Sequence, residues 1–382
     1  MHATVIKSFE TLADIEQAIK ETSEKPGIPL QIPKDSLKKK SGAMRDVSRL
    51  QMLTTWARSS PECYLEFHRE NRMESVLEDL CAYAPGIAAL RICAGVKIAD
   101  NVVLKRSALS GAAHKMLDTD AEDLPAIIRG RSIDVSCVSG MRLQYLRPLF
   151  FARSPESVKD SDGMYLLIKE LFAQINKNDS TLIPESFNTA CGIFVSELFK
   201  NTQQHAIRDA LGELYEAHVE GLIISWTDLK ERLYAEDFSG HPKLKSYWER
   251  EASADSSGHK NLRCLQLSFF DTGPGFACRA TGQELLTMDL EKERRILIDC
   301  LKKNTTTKGE TGAGHGWPSV LRELQEIGGL VRIRSGRQSI FNCFGENGSD
   351  ENIFEFSDWN EGATLSPVVG AVITLLVPLR RT

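Results

Sequence analysis

A ten-residue stretch, Glu197 to Ala206, constrains the fold of this chain more than any other segment. Glu197, Asn201 and His205 recur at every fourth position, a spacing that stacks side chains on one face of an α-helix. The segment therefore predicts an amphipathic helix whose polar face carries an acid, an amide and an imidazole. A separate apolar stripe is expected to pack against a core and consists of Phe187, Cys191, Phe194, Val195 and Leu198.

The predicted polar face combines groups suited to chemistry on a charged ligand. The Glu197 carboxylate is suited to orienting a water molecule. The Asn201 amide oxygen is suited to holding a hard cation such as magnesium, which prefers oxygen ligands. His205 is expected to have a structural role rather than a catalytic one. The spacing alone also suits an ordinary solvated helix face, so a functional interpretation depends on other segments.

A second segment, Leu265 to Phe276, predicts a buried strand that ends in an acid and a tight turn. Gly273 and Gly275 follow Asp271 and permit backbone angles and close approaches that a Cβ would prevent. A carboxylate at a strand end, beside bare backbone, suits an exocyclic amine such as that of adenine. An ordinary turn is the alternative, because Asp and Gly are common turn residues.

A third segment, Gly312 to Ser319, is a glycine-rich loop that runs directly into a predicted helix. Free backbone amides and the positive end of a helix dipole together favour a phosphate group. Gly328 and Gly329 are expected to end this helix, and the alternating residues 330–334 predict a strand after it. A flexible linker is the alternative for the glycine-rich part.

In this order along the chain, the three segments resemble the nucleotide-binding boxes of the GHKL ATPase superfamily. That superfamily contains the ATP-binding domains of gyrase, heat-shock chaperones, histidine kinases and mismatch-repair proteins. The resemblance covers about the C-terminal half of the chain. It implies that Asn201 coordinates magnesium, that Glu197 is the catalytic general base, and that Asp271 contacts the adenine amine of ATP.

The resemblance also implies a wider set of cofactor-binding positions and a lid. Residues 276–311 correspond to the lid, in which Lys302, Lys303 or Lys308 is suited to reach a phosphate. The final segment, Gly370 to Pro378, resembles the last strand of the same domain. Two departures from the family pattern are the run His315-Gly316-Trp317, where a Leu-Gly-Leu type run is usual, and Ala371, where a hydroxyl residue is common. The implied cofactor-binding residues are Asn201, Asp271, Gly273, Gly275, Gly312, Gly314, His315, Gly316 and Thr374.

The predicted fold class is α+β, with two domains in the 382 residues. Residues 151–382 are expected to form a Bergerat-type α/β sandwich, in which helices cover a mixed sheet. Residues 1–150 are expected to form a separate module of unknown role, mainly helical or α+β. The polar stretch from 237 to 260 predicts an insertion or long loop.

Composition and charge limit the partners, the redox state of the cysteines and the cellular location that can be expected. The net charge of −5 gives no reason to expect direct nucleic-acid binding. The nine cysteines include no Cys-x-x-Cys pair, so reduced thiols are expected rather than disulfides. No signal peptide or membrane-length apolar run is present in the sequence, which predicts a cytoplasmic protein without a membrane partner.

Three functional classes remain open at this point. The first is a magnesium-dependent ATPase whose lid closure signals to the N-terminal module or to an unidentified protein partner. The second is a protein kinase of the histidine-kinase or anti-sigma serine-kinase type. The third is a nucleotide sensor without turnover. ATP-dependent homodimerisation is a further expectation, because several relatives in the superfamily dimerise on binding ATP.

Overall fold

Two β-sheets of different construction organise this α+β chain in the computed structural model. The structure describes residues 3–38, 40–254, 258–302, 315–345 and 352–380. The smaller sheet has its five strands in sequential order. These strands are β1 (Thr4–Val5), β2 (Leu30–Gln31), β3 (Tyr64–Phe67), β4 (Gly95–Ile98) and β5 (Asn101–Leu104).

The first four strands of the smaller sheet are parallel, and β5 is antiparallel to β4. Parallel neighbours need crossover connections, which helices supply here. Pro85 lies in the first turn of one of these helices, where its missing amide costs nothing. The crossover helices are α1 (Leu12–Ser23), α2 (Asp35–Lys38), α3 (Ala43–Ser59), α4 (Met73–Cys81) and α5 (Ala84–Ile92).

The larger sheet contains the strands on which the predicted site depends. Its order is β12-β11-β10-β13-β9-β7-β6, with β8 paired to β9. The strands are β6 (Ser132–Val138), β7 (Val219–Lys230), β8 (Ser253–Ala254), β9 (Lys260–Asp271), β10 (Leu330–Gly336), β11 (Gln338–Cys343), β12 (Ser357–Asp358) and β13 (Val368–Pro378).

Every strand pairing of the larger sheet among the described residues is antiparallel. The prediction of a mixed sheet in the second half therefore differs from the structure, whose mixed sheet is the smaller one. Strand β6 lies before the predicted division at residue 150, yet it pairs along its whole length with β7. The larger sheet thus draws one edge strand from the first 150 residues.

The remaining helices complete the covering of the sheets. A single π-helical turn, Thr202–Ala206, extends one of them. These helices are α6 (Lys105–Ala108), α7 (Ala113–Asp120), α8 (Leu124–Ile127), α9 (Ser161–Ile175), α10 (Lys177–Ser180), α11 (Glu185–Asn201), α12 (Glu231–Tyr234), α13 (Pro242–Glu251), α14 (Phe276–Thr281), α15 (Leu290–Lys302) and α16 (Gly316–Ile327).

Helix α3 joins the two halves of the chain, because it packs on the larger sheet from the opposite side to α11. The Met44 amide donates to Gln266 Oε1 of β9 at 3.0 Å, and Gln51 Nε2 donates to the Arg334 carbonyl of β10 at 3.1 Å. On the other face, the rings of Phe199 and Phe269 meet edge to face at 5.4 Å. One continuous apolar core includes residues from both halves.

Two sequence predictions about connecting segments have different outcomes. The stretch from 237 to 260, predicted to be an insertion or a long loop, is not a loop throughout, because it contains α13, whose Leu244, Tyr247 and Trp248 are buried. Their spacing is helical, and the polar residues around them obscured it. The segment expected to form the lid contains α15, which begins at Leu290. No helix among the described residues is both long and apolar enough to cross a membrane.

Candidate functional site

The helix spacing predicts that three polar residues share one face, and two of the three line a cleft. Glu197 and Asn201 both line the cleft. The α-helix ends at Asn201 and passes into the π-helical turn, which has more residues per turn and so shifts the following side chains. His205 is consequently exposed and does not line the cleft. The five predicted apolar positions of α11 are all buried, as expected.

Asp271 lies at the end of β9, between two neighbouring strands of the larger sheet. It pairs in register with Glu220 of β7 and Ala371 of β13. Its Oδ1 accepts a 2.8 Å hydrogen bond from the Gly273 amide, which forms the predicted tight turn. Gly275 has a φ of +83°, a left-handed conformation that favours glycine. The turn therefore leaves a carboxylate beside closely packed backbone.

The cleft brings together residues from five separate parts of the chain. It encloses about 690 Å³ of empty space, a figure that includes space open to solvent. Its polar and charged lining comes from Glu197, Asn201, Thr202, Asp271 and Arg279, and its apolar lining includes Leu198, Phe269, Phe276, Trp317 and Ile373.

Glu197 connects α11 to the first turn of α16. Its Oε1 accepts from the His315 amide at 2.9 Å, and its Oε2 accepts from the Gly316 amide at 3.0 Å. A Cβ on residue 316 would lie 2.7 Å from Glu197 Oε2, so glycine allows this approach. A carboxylate thus occupies a helix N-terminus, where amides and the helix dipole favour an anion.

Several predicted positions do not join the described cleft. Gly312 and Gly314 lie outside the described residues, as do Lys303 and Lys308. Thr374 is fully buried on the sheet face covered by α3, where its hydroxyl lies 2.8 Å from that of Ser268. Side chains alternate along a strand, so Ala371 and Ile373 of β13 face the cleft and Thr374 does not.

Burial alters the electrostatics of Asp271. Loss of solvent raises the pKa of its carboxyl from 3.8 to about 6. The Gly273 hydrogen bond, His218 and Arg279 act in the opposite direction, while Glu220 raises this pKa further. Behind the carboxyl, His218 Nε2 and Glu220 Oε2 lie 2.9 Å apart in a buried pair. The carboxylate form of Asp271 is therefore costly until a donor or cation compensates it.

Arg279 and Trp317 line the cleft, although no sequence pattern marked them as site residues. Arg279 follows Gly275 by one helical turn on α14, and this spacing from the glycine turn was the available indication. Trp317 was noted only as a departure from the family, yet its ring packs edge to face on Phe194 at 4.8 Å. This contact joins the start of α16 to α11 beneath Glu197.

The donor set of the cleft suits a magnesium ion that is shared with a ligand. No hydrogen bond connects the Asn201 side chain to another part of the described chain, so its amide oxygen is available. Over the described ranges, no group of three or more His, Cys, Asp or Glu side chains could hold a metal by itself. Magnesium often relies on one or two protein oxygens, with water and phosphate completing its shell.

Comparison of the chain with models of known protein families, with curated proteins and with solved structures gave no match.

Proposed function

We propose that the cleft binds ATP with magnesium and that the second half of the chain is a Bergerat-type nucleotide-binding domain. In this proposal Asp271 accepts a hydrogen bond from the adenine amine, and Asn201 supplies an oxygen to magnesium. The phosphates bind to backbone amides at the start of α16, including those of His315 and Gly316. Gly312 and Gly314 belong to the same proposed phosphate loop.

The observation that carries the proposal is the convergence of Glu197, Asn201 and Asp271 on one cleft. Each residue was selected from a local pattern, and about seventy positions separate Asp271 from the other two. The turn after Asp271 and the start of α16 enclose the same space. A single small-molecule site accounts for this convergence, whereas independent solvated faces do not.

Hydrolysis requires that the Glu197 carboxylate leave the two backbone amides to which it is bonded. We assign it as the general base that aligns water for attack on the terminal phosphate. Its carboxylate now accepts from two backbone amides that the proposal assigns to phosphate. A phosphate that bound these amides would displace the carboxylate by charge repulsion and competition, and the displaced carboxylate would be free to orient water.

The same hydrogen bonds favour a second candidate, a nucleotide sensor without turnover. If Glu197 keeps its contacts with α16 when nucleotide binds, it serves as a helix cap and has no oxygen free for water. A protein kinase, the remaining alternative, would transfer the phosphate to a protein side chain instead of water. Phosphate release measured with and without candidate protein substrates separates these three functions.

Isothermal titration of the full chain with ATP, with and without magnesium, tests the proposal. The full chain is needed because a fragment beginning near residue 155 would lose strand β6 and helix α3. Asp271→Asn should weaken ATP binding by roughly 1.5–3 kcal/mol, the cost of one charge-assisted hydrogen bond. The matched control is Asp100→Asn at an exposed turn. A folded wild-type protein that binds no ATP would disprove the proposal.

Signal transmission is the last part of the proposed function. The lid helices α14 and α15 follow the Asp271 turn directly, and helix α3 of the first half contacts the same sheet. We propose that nucleotide binding changes the position of the lid and that the first half or a partner senses this change. Light scattering with and without a non-hydrolysable ATP analogue tests the ATP-dependent homodimer.

A further inference from the structure

Arg279 is a cation in the cleft whose side chain has no bonded partner among the described residues. It lies on α14, one turn beyond Gly275, and it lines the cleft together with Glu197 and Asp271. Its guanidinium forms no hydrogen bond or ion pair with any part of the chain that the structure describes. Burial lowers its pKa, and the neighbouring Cys300 and Asp271 act in the opposite direction.

Three other arginines around the lid and the turn are bonded, whereas Arg279 is not bonded within the described ranges. Arg58 donates to the carbonyls of Ala217 and Thr272 at 3.0 and 2.7 Å. Arg337 forms an ion pair with Glu293 at 2.7 Å, and Arg294 forms one with Asp358. The packing of this region therefore pairs those three cations and leaves the Arg279 guanidinium without a hydrogen bond or ion pair among the described residues.

Arg279 is half-buried, so its guanidinium has lost part of its hydration, and no hydrogen bond or ion pair among the described residues replaces it. Asp271 does not fill this role, because its Oδ1 is bonded to the Gly273 amide and it makes no ion pair with Arg279. Glu197 is bonded to α16. The cleft thus holds an available cation and, in the neighbouring α16 terminus, a second anion-attracting group.

We infer that Arg279 binds a phosphate group of the nucleotide. A planar guanidinium offers forked donors that match phosphate oxygens, and it stays charged at all relevant pH values. Among the described residues that line the cleft, Arg279 is the only basic one. This inference rests on the proposed ATP site and names a contact that the lid lysines were expected to supply.

The position of Arg279 also connects phosphate to the lid. Helix α14 begins directly after Gly275, so a ligand held by Arg279 would restrain the first lid helix at the turn that carries Asp271. Adenosine has no phosphate groups, so its binding would not restrain α14 through Arg279. Binding of the adenine base would therefore depend on Asp271, and binding of the phosphates would depend on Arg279.

A ligand series on the full chain tests the inference. Adenosine, ADP and ATP are titrated in magnesium into the wild type, Arg279→Gln and Asp271→Asn. We expect Arg279→Gln to weaken ADP and ATP binding by about 10- to 100-fold, from the loss of a charge-assisted contact, and to leave adenosine unchanged. Asp271→Asn should weaken all three ligands. The control Arg295→Gln removes an exposed arginine of the same lid and should change none.

The outcomes separate the inference from the proposed function. If Arg279→Gln weakens adenosine as much as ADP, or weakens neither, Arg279 does not bind phosphate although the site binds nucleotide. If the wild type binds none of the three ligands, the nucleotide site itself is wrong. Arg279→Lys keeps the charge and serves if the glutamine variant fails to fold. It should retain phosphate-dependent binding at reduced affinity and a steeper dependence on salt than Arg279→Gln.

Discussion

Glu197 Oε2 accepts a 3.0 Å hydrogen bond from the amide of Gly316, the first residue of α16. The other carboxylate oxygen accepts from the preceding residue, so the proposed general base serves in this conformation as the cap of a helix. The expected phosphate position and the expected catalytic acid thus compete for the same amides. Removal of the Glu197 carboxylate should therefore strengthen phosphate binding to these amides and lower the stability of the free protein.

Glu197→Ala should bind ATP at least as tightly as the wild type, because the amides no longer have a competing carboxylate. The free protein should lose roughly 0.5–2 kcal/mol of unfolding free energy, the usual cost of removing a helix cap. If Glu197 is the general base, hydrolysis should slow by roughly 100-fold or more. Titration calorimetry, denaturant unfolding and phosphate release measure the three effects.

The matched control for this variant is Glu326→Ala, an exposed acid at the other end of α16. It should leave ATP binding and hydrolysis unchanged. A Glu197→Ala protein that hydrolyses ATP at the native rate would exclude the general-base role and favour the sensor. Weaker ATP binding in Glu197→Ala would show that the carboxylate assists the nucleotide rather than competing with it.

Asp271→Asn should stabilise the free protein at pH 8 while weakening ATP binding. Burial raises the pKa of Asp271 from 3.8 to about 6, so the folded state keeps a proton that the unfolded chain loses between these values. Wild-type stability therefore falls as pH rises through this window, and the full cost, on the order of 3 kcal/mol, is present above it. Asparagine carries no such charge and keeps an acceptor for the Gly273 amide.

Thermal unfolding of the two proteins between pH 4 and pH 8 measures this difference. The advantage of Asp271→Asn should be largest at pH 8 and should shrink toward zero near pH 4. ATP affinity of the wild type should fall below pH 6, because a protonated Asp271 accepts poorly from the adenine amine. An equal stability difference at both pH values would mean that the Asp271 pKa is not raised by burial.

Asn201→Ala should reduce the magnesium-dependent part of ATP binding. The side-chain oxygen of Asn201 is unbonded within the described chain, so its removal costs the free protein little. We expect the wild type to bind ATP more tightly with magnesium than with EDTA, and Asn201→Ala to bind equally under both conditions. Gln204→Ala, an exposed amide in the following π-helical turn, is the control. A preserved magnesium dependence in Asn201→Ala would place the metal ligand elsewhere.

The sequence predicted those site residues whose orientation depends on local structure. Glu197 and Asn201 share a helix face, and Asp271 ends a strand, so each follows from a few neighbouring residues. Thr374 was misplaced because the face a strand residue occupies depends on the sheet, and a shift of one residue reverses it. Arg279 was missed because its lack of a partner appears only when all surrounding groups are positioned.

The sequence likewise predicts local elements of the fold but not the long-range contacts between them. Local periodicity in the first 150 residues can indicate a helix such as α3 or a strand such as β6. It could not indicate that α3 packs on the larger sheet or that β6 pairs with β7, since both contacts join residues more than eighty positions apart in sequence. These long-range contacts join the first 150 residues to the proposed nucleotide domain.

Arg58→Ala should weaken ATP binding although Arg58 does not line the cleft. Its guanidinium extends from α3 to the Thr272 carbonyl at 2.7 Å, directly after Asp271, and lies 3.9 Å from the centre of the Tyr215 ring. Loss of this contact should loosen the turn that positions the Asp271 carboxylate. We expect an effect of roughly 0.5–2 kcal/mol on binding, as for residues that couple sites indirectly.

Calorimetry of Arg58→Ala beside the exposed control Arg69→Ala measures this coupling. Reciprocity requires that bound ATP also protect the amides around Arg58 from hydrogen exchange more in the wild type than in the variant. A variant that is less stable yet binds ATP with native affinity would show that α3 supports the fold without influencing the site.

Glu293→Gln should release the second lid helix from the sheet. The buried Glu293 of α15 accepts from the Arg337 backbone amide at 2.6 Å and from Arg337 Nε at 2.7 Å. Arg337 also donates to the carbonyls of Leu285 and Met288, so one residue of the β10–β11 hairpin anchors the lid segment. Glutamine removes the charge that balances Arg337, and breaking such buried pairs costs roughly 3–5 kcal/mol when one partner is left.

Hydrogen exchange of α15 tests whether this anchor limits the proposed lid switch. Residues 290–302 should exchange faster in Glu293→Gln than in the wild type, while β9 in the core of the larger sheet remains protected. The exposed Glu291→Gln on the same helix should behave as wild type.

In the wild type, a non-hydrolysable ATP analogue should protect the lid more than ADP does, since only the analogue supplies a third phosphate. Weakening the anchor should enlarge this difference, because a looser lid has more order to gain on binding. Equal protection by both nucleotides, in wild type and variant alike, would leave a binding site without a lid switch.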